Sequence, residues 1–511
     1  MPRKSAKTPL ARILTRCLAI SVNTLESGIS RRSFLKASAA TVIAASLPPI
    51  LAGCKKDQVQ PTIAIVGGGI SGLNAAYQLK RLGIESKVYE ASPRTGGRMM
   101  SVTGALGPGL VTELGGEFID STHTDIINLA GEFGLELMDR QKSNKSGLIP
   151  QVYYFDGRKI DEKEVIAEFS KVSGKIQADT DSLPDHFNFE NPNGAEVLDR
   201  TSLADYIASL AVGGWLKDLL TVAFVTEYGL ETREQSALNM LYLISTDTSE
   251  GTFDVFGDRD ERFKIKGGNQ RITDELTKRL EGVIETSHVL KVIDQKDNKY
   301  TLTFQTGGAE KSVTADILLL TIPFTMLREV DIRLTLPDWK RRAINELGYG
   351  TNAKVMAGVT KRVWQEQGYV CDVFSDESYQ LAWDCSEMQP FDNGGVAFYL
   401  GGEEGMRSGE GPAKDVALKY LDALNKIYPG VRDTFNGNAH RMHWPTHRFT
   451  KGSYACYKPG QWTTISGAEV RPVGNLFFAG EHCSADFQGF MNGGAETGRK
   501  AAEAIAGIVK D

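Results

Sequence analysis

Gly67-x-Gly69-x-x-Gly72 directly follows the apolar run Ile63–Val66. Glycines at this spacing serve three purposes: a tight turn, close backbone approach to a pyrophosphate, and close packing of helix on strand. A helix starting at Ile70 would add the positive end of its dipole to the phosphate site. Glu90 ends the next apolar run, Lys87–Glu90, where a carboxylate can accept hydrogen bonds from ribose hydroxyls. This is chemistry for holding a dinucleotide, and it does not by itself choose between FAD and NAD. Far downstream lies a second cluster, Leu476-Phe-Phe-Ala-Gly-Glu-His482 with Gln488-Gly-Phe-Met-Asn-Gly-Gly494.

A set of motifs distributed from residue 61 to the end resembles the flavin amine oxidase family. They are Glu90-Ala-Ser-Pro-Arg-Thr-Gly-Gly97-Arg98, Glu113-Leu-Gly-Gly116, Ile265-Lys-Gly-Gly268, Thr321-Ile-Pro323 and the closing Phe-Ala-Gly-Glu481. The resemblance implies an FAD enzyme that oxidises a small-molecule amine, with O2 or an electron carrier as acceptor. It implies that Gly97, Arg98 and Gly116 lie near the cofactor and that Glu481 bonds a ribityl hydroxyl. Met491 would approach the flavin ring, and Val289 would meet adenine through its backbone. Lys354, in Gly350-Thr-Asn-Ala-Lys354-Val-Met, matches the family lysine that bonds through water to flavin N5. Tyr454 and Phe490 match the two aromatic rings that flank the substrate, with Trp444 and Phe118 lining the same pocket. Ser453 stands where some monoamine oxidases carry a cysteine joined to FAD, so FAD is expected to be non-covalent.

Phe118 occupies the position at which L-amino acid oxidases place an arginine. A bidentate carboxylate clamp needs a guanidinium, so this disfavours an α-amino acid substrate. Glu117 could meet the second nitrogen of a diamine or serve as an ordinary carboxylate. An L-amino acid oxidase, a C–C desaturase of the same superfamily and a non-catalytic flavin-fold binding protein are the competing readings. His440, His443 and His447 straddle Trp444-Pro445, which argues against a helical metal face, so no metal is expected.

The N-terminus reads as an address. Ser30-Arg-Arg-Ser-Phe-Leu-Lys36 matches the twin-arginine export pattern, and Leu51-Ala-Gly-Cys54 resembles a lipoprotein box with Cys54 acylated. Residues 1–54 are therefore set apart from the fold, with the membrane reached only through lipid. Removing residues 1–53 takes the formal charge from −6 to −13, which argues against a nucleic-acid partner. Among the remaining cysteines, Cys371 and Cys385 could pair or stay free.

These residues need elements to position them. The pattern predicts a strand at Ile63–Val66, a helix over 70–82 and mostly helical chain from 119 to about 260. Strands are expected at Lys299–Gln305, Ile317–Ile322, Ala353–Thr360 and Gly395–Leu400, with helices over 269–280, 413–427 and 494–508. The fold class is α/β. A discontinuous Rossmann-like FAD-binding domain (61–118, 262–330 and 435–511) is expected beside an α+β substrate-binding domain (119–261 and 331–434).

Overall fold

Parallel pairing brings together strands that are far apart in the chain. In the computed structural model, which describes residues 60–510 apart from 144, 146, 249–252 and 258, five parallel strands run in the order Leu476–Phe478, Ile317–Leu320, Ile63–Val66, Lys87–Tyr89, Ile284–Glu285. Val66 pairs with Leu320, and Leu320 with Phe478. The turns at Gly67, Thr321 and Ala479 therefore leave the same edge, where open α/β sheets bind ligands. The central strands Ile63–Val66 and Ile317–Leu320 are buried on both faces, one packed with the helices Ile70–Arg81 and Met491–Lys510 and the other with the strands Val289–Lys296 and Lys299–Thr306.

The helix Ile70–Arg81 packs against the final helix, Met491–Lys510. Glycine makes this approach possible: a Cβ on Gly498 would fall 2.2 Å from the Ser71 carbonyl oxygen. The Asn74 side chain donates to the Ala495 carbonyl at 2.7 Å and locks the pair.

The second large sheet is mixed and has seven strands. Its order is Phe435–His443, Ala353–Val359, Gly394–Leu400, Leu381–Asp384, Tyr369–Ser375, Ile149–Phe155, Arg158–Ile160. Phe435–His443, assigned by its sequence position to the cofactor domain, is thus an edge strand of this sheet. Register aligns Lys354 with Tyr399, Tyr399 with Leu381, Leu381 with Phe374, and Phe374 with Tyr153. With a side-chain period of two, this row and its i±2 neighbours share one face. The other face, including Val355, Phe398 and Val373, packs with the helix Ala413–Ile427 in a separate core.

The hairpin Ile149–Phe155/Arg158–Ile160 interrupts a stretch expected to be mostly helical. Its turn is Asp156-Gly157, both at positive φ (53° and 71°), flanked by Tyr153, Tyr154 and Phe155. Asp-Gly between β-forming residues is a hairpin signal that helical periodicity in the flanking segments outweighed. The helices Glu162–Ser182, Leu203–Ser209 and Gly214–Tyr228 then build an apolar cluster beside the sheet. A four-stranded sheet, Ala309–Ala315, Lys299–Thr306, Val289–Lys296, Asp331–Ile332, completes the main architecture. The export motif and Cys54 lie outside the described residues.

Candidate active site

The glycine turn has the geometry of a phosphate cradle. Gly67 sits at φ 114°, and a Cβ there would lie 2.4 Å from Thr321 Oγ1. At Gly72 a Cβ would lie 2.0 Å from the Gly67 carbonyl oxygen, so packing forbids any larger residue. Gly69 differs: its nearest neighbour for a Cβ is Gly97 Cα at 4.0 Å. The protein leaves room over Gly69 where a ligand backbone would pass. Glu90 is buried beside it and accepts from the Gly68 and Ser92 amides at 2.6 and 2.7 Å. Burial pushes its carboxyl up, and the amides and Arg94 oppose that shift.

The early and late motifs meet at Arg98 and Glu481. Arg98 Nη1 donates to Glu481 Oε1 at 2.8 Å and to the Ser453 carbonyl at 2.6 Å. Glu481 Oε2 accepts from the Gly489 amide at 3.0 Å. A Cβ on Gly116 would lie 2.6 Å from Met491 Cγ. Gly67, Gly69, Glu90, Gly97, Arg98, Gly116, Val289, Glu481 and Met491 all line one continuous cavity of about 530 Å³. Gly72 does not line it; its part is the helix contact. His482, although adjacent to Glu481, is not in the lining and packs edge-on against Phe324 at 4.4 Å.

Lys354, Tyr399, Leu381, Trp383, Phe374 and Tyr153 carry the cavity onto the inner face of the seven-stranded sheet. Lys354 is 4% exposed and donates to the carbonyls of Gly115 (2.9 Å) and Glu113 (3.2 Å) and to Glu117 Oε2 (2.8 Å). Glu117 Oε1 accepts from the buried Lys264 at 2.9 Å. Burial alone would raise the Glu117 carboxyl, but Lys264 and Lys354 outweigh it and hold it at about 2. Both oxygens of Glu117 are therefore paired with lysines, although the residue lines the cavity. Neighbouring Glu113 is pushed up to about 7 by burial.

Tyr454 and Phe490 line the same space. The Tyr454 hydroxyl donates to the Glu227 carbonyl at 2.6 Å and lies 2.9 Å from the Tyr399 hydroxyl. Trp444 is held by its indole N–H, which donates to the Leu114 carbonyl at 3.1 Å. Motif reading missed two guanidiniums in the cavity wall. Arg140 lies 4.4 Å over the Phe118 ring and donates to Glu387 at 2.8 Å. Arg259 lies 4.3 Å over Phe490 and pairs with Glu227. Phe118 is not itself a clamp, yet two guanidiniums reach the cavity wall from other positions. Arg140 and Arg259 come from a strand end and a loop outside every recognised motif, so only the fold brings them in.

Ser453 Oγ donates to Asn352 Oδ1 at 2.6 Å, and Cys456 lies outside the lining, buried beside Asn239. Cys371, Cys385, Cys456 and Cys483 are all buried free thiols, so Cys371 and Cys385 do not pair. Among the described residues, no group of three or more His, Cys, Asp or Glu could hold a metal ion. No described helix is long and apolar enough to cross a membrane.

A Gly-rich turn at a parallel-sheet edge, joined by one cavity to a buried lysine and aromatic rings, is the frame of a dinucleotide-dependent oxidoreductase. The profile of the flavin containing amine oxidoreductase family matches residues 70–506, and the chain belongs to that family. It is an enzyme, and its cofactor is FAD, held without a covalent bond. The room over Gly69 and the buried Glu90 fit such a dinucleotide. A twin-arginine signal profile matches residues 28–48 and indicates export by that route.

The chain is 24% identical over 479 residues to amine oxidase [flavin-containing] A of Sus scrofa, covering 87% of this chain and 84% of that one. It is also 24% identical over 511 residues to pseudooxynicotine dehydrogenase of Pseudomonas sp, covering 95% and 97%. Its fold matches cyclohexylamine oxidase from Brevibacterium oxydans IH-35A with a TM-score of 0.77 at 24% identity, covering 88% of this chain and 100% of that one.

Proposed function

We propose that this enzyme oxidises a primary or secondary amine to an imine, which water hydrolyses to an aldehyde or ketone. The observation that carries this reading is one cavity that joins the dinucleotide cradle to Lys354, Tyr454 and Phe490. FAD, when bound, would supply the two-electron acceptor for the hydride that leaves the carbon bearing nitrogen. The amine nitrogen must enter with a free lone pair, because that pair forms the C=N bond as the C–H bond breaks. Tyr454 and Phe490 provide apolar walls that exclude water and disfavour the charged ammonium. Lys354 holds positive charge at the cavity floor, which favours the negative charge that develops on reduction. Gly67, Gly69, Glu90, Gly97, Arg98, Gly116, Val289, Glu481 and Met491 hold the cofactor. O2 or an electron carrier takes the electrons onward.

A substrate that also carries a carboxylate is the second reading, and Arg259 over Phe490 is the observation that favours it. Anaerobic bleaching of bound FAD with two panels, simple amines and α-amino acids, separates the two. Reduction by amino acids alone would overturn the leading reading.

The division into cofactor and substrate domains also belongs to this proposal, with Phe435–His443 as the strand that joins them. So does lipid attachment at Cys54 after export. Replacing Cys54 with Ala should release the exported protein from the membrane fraction; retention there would refute the anchor.

A further inference from the structure

Lys354 is not an isolated cation. Its three N–H directions are taken by the carbonyls of Gly115 and Glu113 and by Glu117 Oε2. The second oxygen of Glu117 is taken by Lys264, whose ammonium also donates to the Cys385 carbonyl at 3.3 Å. Lys264 and Lys354 side chains are each 5% exposed, and Glu117 is 3% exposed. Lys354 and Glu117 face the cavity; Lys264 is not among the lining residues and stands behind the carboxylate.

The charge arithmetic gives this arrangement a consequence. A buried Lys354–Glu117 pair is neutral as a unit and would do little to favour an electron-rich cofactor. A second lysine on the other carboxylate oxygen returns the cluster to one net positive charge. Burying an extra ion is costly, and a carboxylate bridging two ammonium groups is an expensive way merely to fill space. An apolar residue at position 264 would keep the Lys354 contact to Glu117 Oε2 but leave the buried Oε1 without its lysine donor and the remaining pair without net charge. Resting on the reading of Lys354 given above, we infer that Glu117 and Lys264 are positioning residues for the redox step: Glu117 fixes the Lys354 ammonium, and Lys264 sets the net positive charge of the cluster that favours reduced FAD.

The test is the midpoint potential of bound FAD, measured by dye-equilibrated reduction without any amine. It is run near pH 6, where Glu113 stays protonated. Lys264→Met should lower the potential, in the same direction as Lys354→Met. Lys264→Arg should preserve it. The double variant Glu117→Gln with Lys264→Met regains one net positive charge and should recover most of the lost potential. A purely structural Lys264 would not show that recovery. If Lys264→Met does not retain FAD, Lys264→Gln, which keeps a donor to Glu117 without charge, gives the same comparison.

A shift with Lys354→Met but none with Lys264→Met or Lys264→Gln overturns the inference. So does a double variant that stays low. No shift in any variant overturns the role of Lys354 as well. Failure of every amine to bleach the wild type, with the potential shifts intact, defeats the substrate reading alone.

Discussion

Arg259 lies 4.3 Å over the ring of Phe490, and its guanidinium is held there by Glu227. The same residue 227 holds the other ring through its backbone, because its carbonyl accepts the Tyr454 hydroxyl. One helix end, that of Gly214–Tyr228, therefore ties both aromatic walls together. Arg259 supplies a positive charge in the wall beside the ring to which a cationic substrate would be drawn.

Replacing Arg259 with Met removes that charge and leaves Glu227 facing the cavity. Simple amines should gain several-fold in kcat/KM. Any carboxylate-bearing substrate should lose roughly 10- to 100-fold, the equivalent of about 1.5–3 kcal/mol for a charged hydrogen bond. Steady-state kinetics on both substrate types give the answer, and equal effects on both would refute a specificity role.

The glycines of the nucleotide turn should separate by their surroundings. Gly72→Ala forces a Cβ to 2.0 Å from the Gly67 carbonyl and should destabilise the fold by more than about 2 kcal/mol. Gly69→Ala has room within the protein and an ordinary extended backbone, φ −78°. It should leave the apoprotein melting temperature nearly unchanged and cut FAD affinity by at least about tenfold. Calorimetry of the apoprotein together with FAD titration distinguishes the two, and normal FAD binding by Gly69→Ala would contradict the cradle.

The buried carboxylates give opposite pH signatures. Glu117 is held at about 2 when folded, so its stabilisation is present above its unfolded value and fades as pH falls from about 4.5 to 2. The loss is of order 3 kcal/mol. Glu113, raised to about 7 by burial, acts the other way: stability falls as pH rises from about 4.5 to 7, because the unfolded chain ionises first. Glu113→Gln should flatten the neutral limb and Glu117→Gln the acid limb. Denaturant midpoints measured across pH 3–8 report both slopes.

Four buried thiols imply chemical silence in the native state. A thiol reagent should find none of Cys371, Cys385, Cys456 and Cys483 in the folded enzyme and all four after denaturation. A reductant should leave the melting temperature unchanged; a reductant-dependent drop would indicate a bond that the geometry denies.

Local patterns made much of this molecule legible. The strand Ile63–Val66 and the helix Ala413–Ile427 follow from short-range periodicity and match their expected bounds. The turn at Gly67–Gly72 was readable because it rests on local backbone, a glycine turn and a helix start, whose geometry few residues can adopt. The hairpin at Asp156-Gly157 was written in turn chemistry but overshadowed by its helical neighbours. Glu117 was visible as a carboxylate, but whether it faced a substrate or a partner was not.

The sequence by itself determined the flavin family, the strand Ile63–Val66, the glycine turn that follows it and the acid Glu90 after the next strand. Tertiary structure alone decided that Lys264 completes Glu117, that Arg259 covers Phe490, and that Arg140 covers Phe118. Contacts between side chains that belong to separate elements leave no period or spacing in the chain. They arise only when sheet register and loop path fix which side chains share a low-dielectric space, where each buried charge requires a partner.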